Sequence, residues 1–394
     1  MTAAMPKPPL KPPSKPPSKP LSKPLPKLTV SGRDEMLRTE LDRVSKAKSM
    51  LVLSPDSIRW LIGFTGSAGS LMLRAHDMVF VTDGRYVEQA TMQAEQSGAH
   101  VEVRLATSGV AHQAILGELI ESGAACAFDP ADVSVQSFEM YQTAFSGSLV
   151  QASGLVTKLR RIKTDAEIAR IEAAACATDL ALADVEPLLY SGVTERDIRD
   201  ELDYKMRRHG GDGPSYDTIV ATGPNGARPH HRPTDTQIVD GHSVVIDVGA
   251  LVDGYHSDMT RTYLIGDVDP VLREMHRVVS EAQLLGIAKV APGVLCGEVD
   301  RVCREFIAGH GYGPEFIHST GHGVGLQIHE LPWIRKDFSE PLQVGEVVTV
   351  EPGVYRGGLG GVRIEDLLVV TSASSRILTQ SQKDQLCLPS PRTT

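Results

Sequence analysis

The chain has 394 residues, 41 % of them hydrophobic and 23 % charged, enough for two or three domains with a sizeable buried core. Its net charge is −9, but the first thirty residues hold six lysines and no acid, which leaves 34 basic residues against 49 acidic ones, or −15, for the remainder. So acidic a body excludes a nucleic-acid binder, whose affinity rests on cationic neutralisation of phosphates. No apolar run approaches the roughly 20 residues of a membrane span.

In chain order, residues 1–30 form a low-complexity arm in which lysine recurs every four residues among ten prolines. Proline donates no backbone hydrogen bond and lysines repel, so the arm is expected to be extended and disordered. It is either a dispensable extension or an anchor to an acidic surface.

Residues 31–155 alternate short β-rich runs with helical stretches, which predicts an α/β domain. Its strands are expected at Met50–Leu53, Ser70–Leu73, Met78–Thr82, His100–Arg104 and Ala124–Phe128. Its helices are expected near Arg85–Gln96, Ala111–Glu121 and Val135–Ala144. The stretch Thr82-Asp83-Gly84-Arg85-Tyr86 reads as a turn.

A second, α+β body is expected over 156–380, followed by a tail at 381–394. Thr164 with Glu167 makes a capping box that opens a long helix. Further helices are predicted at Glu195–Arg208, Pro270–Val290 and Gly297–Ala308. A faint repeat runs through this body at an offset of 101 residues: Ser191-Gly192-Val193 with His209-Gly210, then Pro292-Gly293-Val294 with His310-Gly311. Two related halves would place a site at their junction.

Five residues carry the chemistry: Asp247, Asp258, His322, Glu351 and Glu365. Asp253-Gly254 between two β-like runs predicts a two-residue hairpin. In that register Asp258 faces Gly249, and Asp247 lies two residues further along the same face, so two carboxylates converge. Glu351 closes the β-branched run Val348-Thr349-Val350. Period-two alternation puts Arg363 and Glu365 on one face and Val362, Ile364 and Asp366 on the other. His318, His322 and His329 sit among glycines. Buried carboxylates repel unless protonated or bound to cations. Four carboxylates and one imidazole form an oxygen-rich set that suits two divalent ions, Mn²⁺ first, with Co²⁺ or Zn²⁺ as alternatives. A water between two such ions is acidified into a nucleophile, which is metal-assisted hydrolysis.

The series Asp247-Val248-Gly249, Asp258-Met259-Thr260-Arg261-Thr262, Gly321-His322-Gly323-Val324-Gly325, Glu351-Pro352-Gly353 and Arg363-Ile364-Glu365-Asp366 resembles the motifs of the pita-bread-fold metallopeptidases. That superfamily holds aminopeptidase P, prolidase, methionine aminopeptidase and creatinase. The stretches Leu61-Ile62-Gly63-Phe64-Thr65-Gly66-Ser67 and Thr82–Tyr86 resemble their creatinase-like N-terminal domain. The resemblance implies a pita-bread catalytic domain of two pseudo-symmetric halves behind a creatinase-like α/β domain. It implies that Asp247 chelates the first metal, that Asp258 and Glu365 bridge both, and that His322 and Glu351 bind the second. Glu351 would also shuttle a proton to the leaving nitrogen.

By the same resemblance, His230 contacts substrate across the metals, with His231 beside it as the competing choice. His329 stabilises the tetrahedral intermediate and His318 walls a proline pocket, unless it is a core histidine satisfied by backbone. Arg363 orients the metal ligands or receives a substrate carboxylate, while Trp333 reads as packing. The implied activity is that of an Xaa-Pro aminopeptidase acting on peptides with proline in second position. The alternatives are an Xaa-Pro dipeptidase, a hydrolase or lyase of a small osmolyte, and a non-catalytic binding protein. A homodimer is implied. Five cysteines, none in a CxxC pair, read as free thiols of a cytoplasmic protein.

Overall fold

The computed structural model describes residues 24–189, 192–383 and 387–388. Most of the Lys/Pro arm, Ser191 of the repeat and most of the C-terminal tail therefore lie outside the described residues. By their contacts these residues form two units, one of Leu25–Glu167 and Gly325–Leu331, the other of Ile168–Val324 and the described part of Pro332–Thr394.

In the first unit, a six-stranded sheet is built from β1 (Ser49–Val52), β2 (Ser70–Leu73), β3 (Met78–Thr82), β4 (Glu102–Leu105), β5 (Ala125–Phe128) and β6 (Ser148–Gln151), in the order β4-β3-β2-β1-β5-β6. Strands β1, β2 and β3 are buried at every position, as strands covered on both faces must be. The helices are α1 (Arg33–Val44), α2 (Pro55–Ile62), α3 (Val87–Ser97), α4 (Gly109–Glu118), α5 (Val135–Ala144) and α6 (Leu155–Arg160). The expected strands fall within two residues of these bounds, but α1, α2, α6 and β6 were not anticipated. Helix α2 carries signals that could have found it: Pro55 at its first turn and Gly63 in the left-handed conformation at its end. Glu330, from the Gly325–Leu331 segment, is buried between Arg160 and Lys163, each 2.7 Å from one of its oxygens.

Helix α7 (Asp165–Val185) opens on the anticipated capping box: Glu167 Oε2 accepts from the Thr164 N–H at 2.8 Å, and Thr164 Oγ1 accepts from the Glu167 N–H at 3.4 Å. Beyond it come α8 (Glu195–Arg208), β7 (Gly213–Pro214), β8 (Ile219–Thr222), β9 (Ser243–Val248), β10 (Ala250–Val252), β11 (Tyr255–His256), β12 (Met259–Ile265), α9 (Pro270–Lys289) and α10 (Cys296–Gly309). The chain continues through β13 (Gly321–Gly323), β14 (Glu330–Ile334), β15 (Val347–Val350), β16 (Gly353–Arg356), β17 (Gly360–Arg363), β18 (Asp366–Val370), β19 (Ser375–Ile377) and β20 (Cys387–Leu388).

The two halves of this unit repeat one plan. Each runs from a long helix (α7, α9) through a shorter one (α8, α10) into antiparallel strands, β12-β9-β8 in the first half, with β20 added parallel to β12, and β13-β15-β18-β19 in the second. Even the bridges that precede the shorter helices recur, Thr194 with Gln237 and Leu295 with Pro341. The apolar faces of α9 and α10 pack with Val348, Val350, Leu368 and Val370 of the second sheet in one core cluster. The hairpin register holds along its whole length: Val252 pairs with Tyr255, Leu251 with His256, Met259 with Val248 and Thr260 with Asp247. Asp253 (φ 45°) and Gly254 (φ 71°) both take the left-handed turn conformation that a two-residue hairpin of this kind demands.

Candidate metal centre

The hairpin delivers Asp247 from the end of β9 and Asp258 from just before β12. One phenolic hydroxyl, that of Tyr216, stands 2.5 Å from Asp247 Oδ1 and 2.5 Å from Asp258 Oδ1. A single hydrogen serves only one of those oxygens, so the pair carries an excess of negative charge in very little space. Glu365 arrives in the break between β17 and β18. Its N–H donates to the Thr260 carbonyl, and its Oε2 accepts from the Thr260 hydroxyl at 2.8 Å. His322 is the central residue of β13. Its Nδ1 donates to the Gly323 carbonyl at 3.0 Å, which leaves the Nε2 lone pair facing Asp258 Oδ2 and Glu351 Oε1, each at 3.5 Å. An imidazole with one nitrogen bonded to backbone and the other turned toward carboxylates is how metal-binding histidines are oriented.

Asp258, His322 and Glu365 each offer a ligand atom, and these atoms lie within 4.8 Å of one another. Asp247 and Glu351 border that triad through Tyr216 and His322. All five residues anticipated from the sequence thus come together, although Asp247 has other company: the Arg363 guanidinium meets its Oδ2 at 2.6 Å. The Arg363 Nε also donates to Thr260 Oγ1, and its Nη1 donates to the Tyr355 hydroxyl at 2.7 Å. Alternation along the strand holds, since Asp366 faces the opposite way and pairs with the buried Arg261 at 2.9 Å.

His318 ends a relay that starts at Asp247. Its Nδ1 donates to the Ser319 carbonyl and its Nε2 accepts from the Tyr355 hydroxyl at 2.9 Å. Burial, together with the charge of Arg363, pulls the His318 pKa down to about 4, so the ring stays neutral near pH 7. His230 is exposed, yet close enough for its charge to weigh against protonation of His318. His231 is buried and bonded to Glu195 at 2.8 Å, so the two adjacent histidines have different surroundings. His329 is exposed on a bend of the Gly325–Leu331 segment, within the other unit.

Residues 169–372 match the model of Metallopeptidase family M24, and residues 33–162 match that of the Creatinase/Prolidase N-terminal domain. The chain belongs to metallopeptidase family M24. It is 37 % identical to the uncharacterized peptidase YqhT of Bacillus subtilis over 346 residues, covering 86 % of this chain and 95 % of that one. It resembles the structure of the Xaa-Pro dipeptidase from Bacillus anthracis with a TM-score of 0.85 at 35 % identity, covering 90 % of this chain and 99 % of that one. The X-Pro aminopeptidase structure from Thermotoga maritima gives a TM-score of 0.79 at 32 % identity, covering 87 % and 98 %. The second unit therefore has the pita-bread fold of M24 enzymes, behind a creatinase-type N-terminal domain.

An M24 metallopeptidase works with divalent ions, and this chain's residues fit them. Glu365 is 1 % exposed and its Oε1 has no hydrogen-bond partner among the described residues, although burying an unpaired carboxylate oxygen is costly. Glu365 belongs to the same group as Asp258 and His322, a donor set of hard oxygens and one nitrogen. Burial above all, then Asp247 and Glu351, hold the Asp258 carboxyl far above its ordinary pKa. Glu365 is pushed the same way by burial and by Asp258. Burial, with Asp247 adding to it against the pull of Arg363, takes Glu351 up to about 8.

A carboxyl whose pKa is higher folded than unfolded binds more protons in the fold, so its contribution to stability is lost as pH rises between the two values. Chelator-treated protein is therefore expected to lose stability from about pH 5 to pH 8, and Mn²⁺ to restore it, because cations replace the protons. Thermal melts at both pH values, with and without Mn²⁺, check this; an unchanged chelated midpoint would contradict it. Saturation at 100 times Kd adds about 2.7 kcal/mol.

Sequence reasoning missed Tyr216, Thr260 and Tyr355. Tyr216 sits in the aperiodic Gly213-Pro214-Ser215-Tyr216 stretch, where no pattern announces a role. Thr260 was within reach, since it lies two residues from Asp258 on the same strand face.

Proposed function

We propose that this enzyme hydrolyses Xaa-Pro bonds at the N-terminus of peptides, with Asp247, Asp258, His322, Glu351 and Glu365 holding two divalent ions, Mn²⁺ first. The observation that carries the reading is the convergence of four carboxylates and one oriented imidazole around Tyr216 and Thr260. Two cations bound there would polarise the scissile carbonyl and acidify a water. The residues do the rest. Glu351 takes the proton of the attacking water and delivers it to the proline nitrogen, since a carboxylate can accept a proton and release it again. An Xaa-Pro bond is a tertiary amide without N–H, so its nitrogen leaves only once protonated.

His230 contacts the substrate across the metals. Arg363 fixes Asp247 and, through Tyr355, the neutral His318 that walls the proline side of the pocket. A dipeptidase would use the same constellation and differ only in whether the peptide continues beyond proline; the 35 % identity to an Xaa-Pro dipeptidase keeps that reading in play. A homodimer in the cytoplasm completes the proposal, in keeping with free thiols at Cys126, Cys176 and Cys303.

The test is an assay of Mn²⁺-loaded protein on Xaa-Pro dipeptides and Xaa-Pro-Yaa tripeptides. Release of the first residue from tripeptides at least about tenfold faster than from dipeptides, a difference of about 1.4 kcal/mol in barrier, supports the aminopeptidase. The reverse order supports the dipeptidase, and activity on neither at full metal occupancy removes both. Light scattering checks the dimer.

A further inference from the structure

Glu195 opens α8 and is fully buried, outside the carboxylate cluster. Its two oxygens accept five hydrogen bonds. The Thr222 N–H (2.8 Å) and Asn225 Nδ2 (2.9 Å) donate to Oε1; His231 Nε2 (2.8 Å), the Thr234 N–H (2.9 Å) and the Thr234 hydroxyl (2.8 Å) donate to Oε2. A carboxylate has about four lone-pair directions, so this one is saturated. Burial alone would raise its pKa, but the donors outweigh it and hold the group ionised.

All five donors come from one stretch, residues 222–234, which begins with the last residue of β8 and carries His230 on its exposed side. The loop is held on a second side by backbone: a Cβ added at Gly361 of β17 would strike the Gly226 carbonyl, and β17 ends in Arg363. Residues 228–231 form a tight turn closed by the His231 N–H on the Arg228 carbonyl at 3.1 Å. Across that turn His231 is buried on Glu195 while His230 is exposed, near enough to His318 for its charge to be felt there.

We propose that Glu195 is a positioning residue: by gripping Asn225, His231 and Thr234 it fixes where His230 stands relative to the bound peptide. The proposal rests on the reading of His230 as a substrate contact. Displacing a catalytic group by about 1 Å costs as much as roughly 100-fold in rate. In Glu195→Gln an amide N–H₂ faces donors, so the loop must shift even where the fold survives.

The experiment is a double-mutant cycle on the full-length, Mn²⁺-loaded enzyme with an Xaa-Pro peptide it cleaves. It compares His230→Ala, Glu195→Gln and the pair for kcat, KM, bound Mn²⁺ and melting temperature. Glu195→Gln is expected to lower kcat/KM by roughly 10- to 100-fold, with bound Mn²⁺ unchanged. In the His230→Ala background the same substitution is expected to cost no more than about threefold, because the two act through one group. Full additivity, or loss of metal from Glu195→Gln, overturns the positioning role. If His230→Ala alone stays within twofold of the parent, the substrate-contact reading fails instead. Should Glu195→Gln not fold, Thr234→Val removes one donor and is expected to show the same non-additivity at smaller size; additivity there overturns the proposal equally.

Discussion

Replacing Asp258 with asparagine is expected to leave a folded chain that binds Mn²⁺ weakly and cleaves Xaa-Pro peptides at least about 10³-fold more slowly, since a metal contributes several kcal/mol to such a reaction. Asparagine keeps the shape of Asp258 and can still accept from Tyr216, so the side chain's place beside His322 is preserved. The charge is what disappears. Asp258 is 5 % exposed and crowded by Asp247 and Glu351. Without metal, removing its charge relieves repulsion, so the chelated variant should melt no lower than the chelated parent at pH 8. Loss of activity without loss of chelated stability separates a ligand from a structural residue. Asp253→Asn, in the turn of the same hairpin, serves as the control and should stay within about twofold of the parent, because asparagine tolerates the left-handed backbone. Unchanged turnover and metal content in Asp258→Asn would remove Asp258 from the site.

Arg261→Met carries the second large effect, on stability. Arg261 is fully buried and every one of its donors is used. Its Nη1 bonds the Thr260 and Glu365 carbonyls, Nη2 bonds Asp366 Oδ1 and the Ser381 carbonyl, and Nε reaches the Ser381 and Gln382 carbonyls. Burial works against ionisation of Asp366, but Arg261 and Lys383 overcome it and pull its pKa below the ordinary value. With Arg261 gone, Asp366 keeps Lys383, Gln283 and Thr379, but a buried charge loses its principal partner. Breaking a buried pair from one side costs about 3–5 kcal/mol. For a unit of this size that lowers the melting temperature by roughly 10 °C. Calorimetry checks the shift. The same substitution frees the peptide on which Glu365 hangs, so weaker Mn²⁺ binding should accompany it; a shift under about 2 °C would contradict the reading, as only exposed pairs are worth so little.

The centre was legible in the sequence wherever local geometry decides the outcome. Asp253-Gly254 admits one tight hairpin, and that register alone aligns Asp247 and Asp258. Alternation placed Arg363 and Glu365 together with Asp366 behind them, even though the strand breaks at residues 364–365. Contacts made over long separations were not legible. Arg261 and Asp366 lie 105 residues apart, and nothing in either neighbourhood names the other. A charged residue alternating with metal ligands must nevertheless be buried on the reverse face and so requires a partner, which was a usable signal. The burial of His231 on Glu195, 36 residues away, was likewise announced by nothing near either residue. Helix α1 escaped because its apolar residues, Leu37 and Leu41 among them, are sparse along a mostly charged stretch, whereas α2 could have been found from Pro55 and Gly63.

The central claim is that Asp247, Asp258, His322, Glu351 and Glu365 gather around a pair of cations. Anomalous-difference density at the manganese absorption edge, from crystals grown with Mn²⁺, tests it directly. Two peaks are predicted, both within bonding distance of Asp258 and Glu365, with His322 and Glu351 on one of them and Asp247 on the other. No peak among these side chains, with Mn²⁺ present and the protein active, would contradict it.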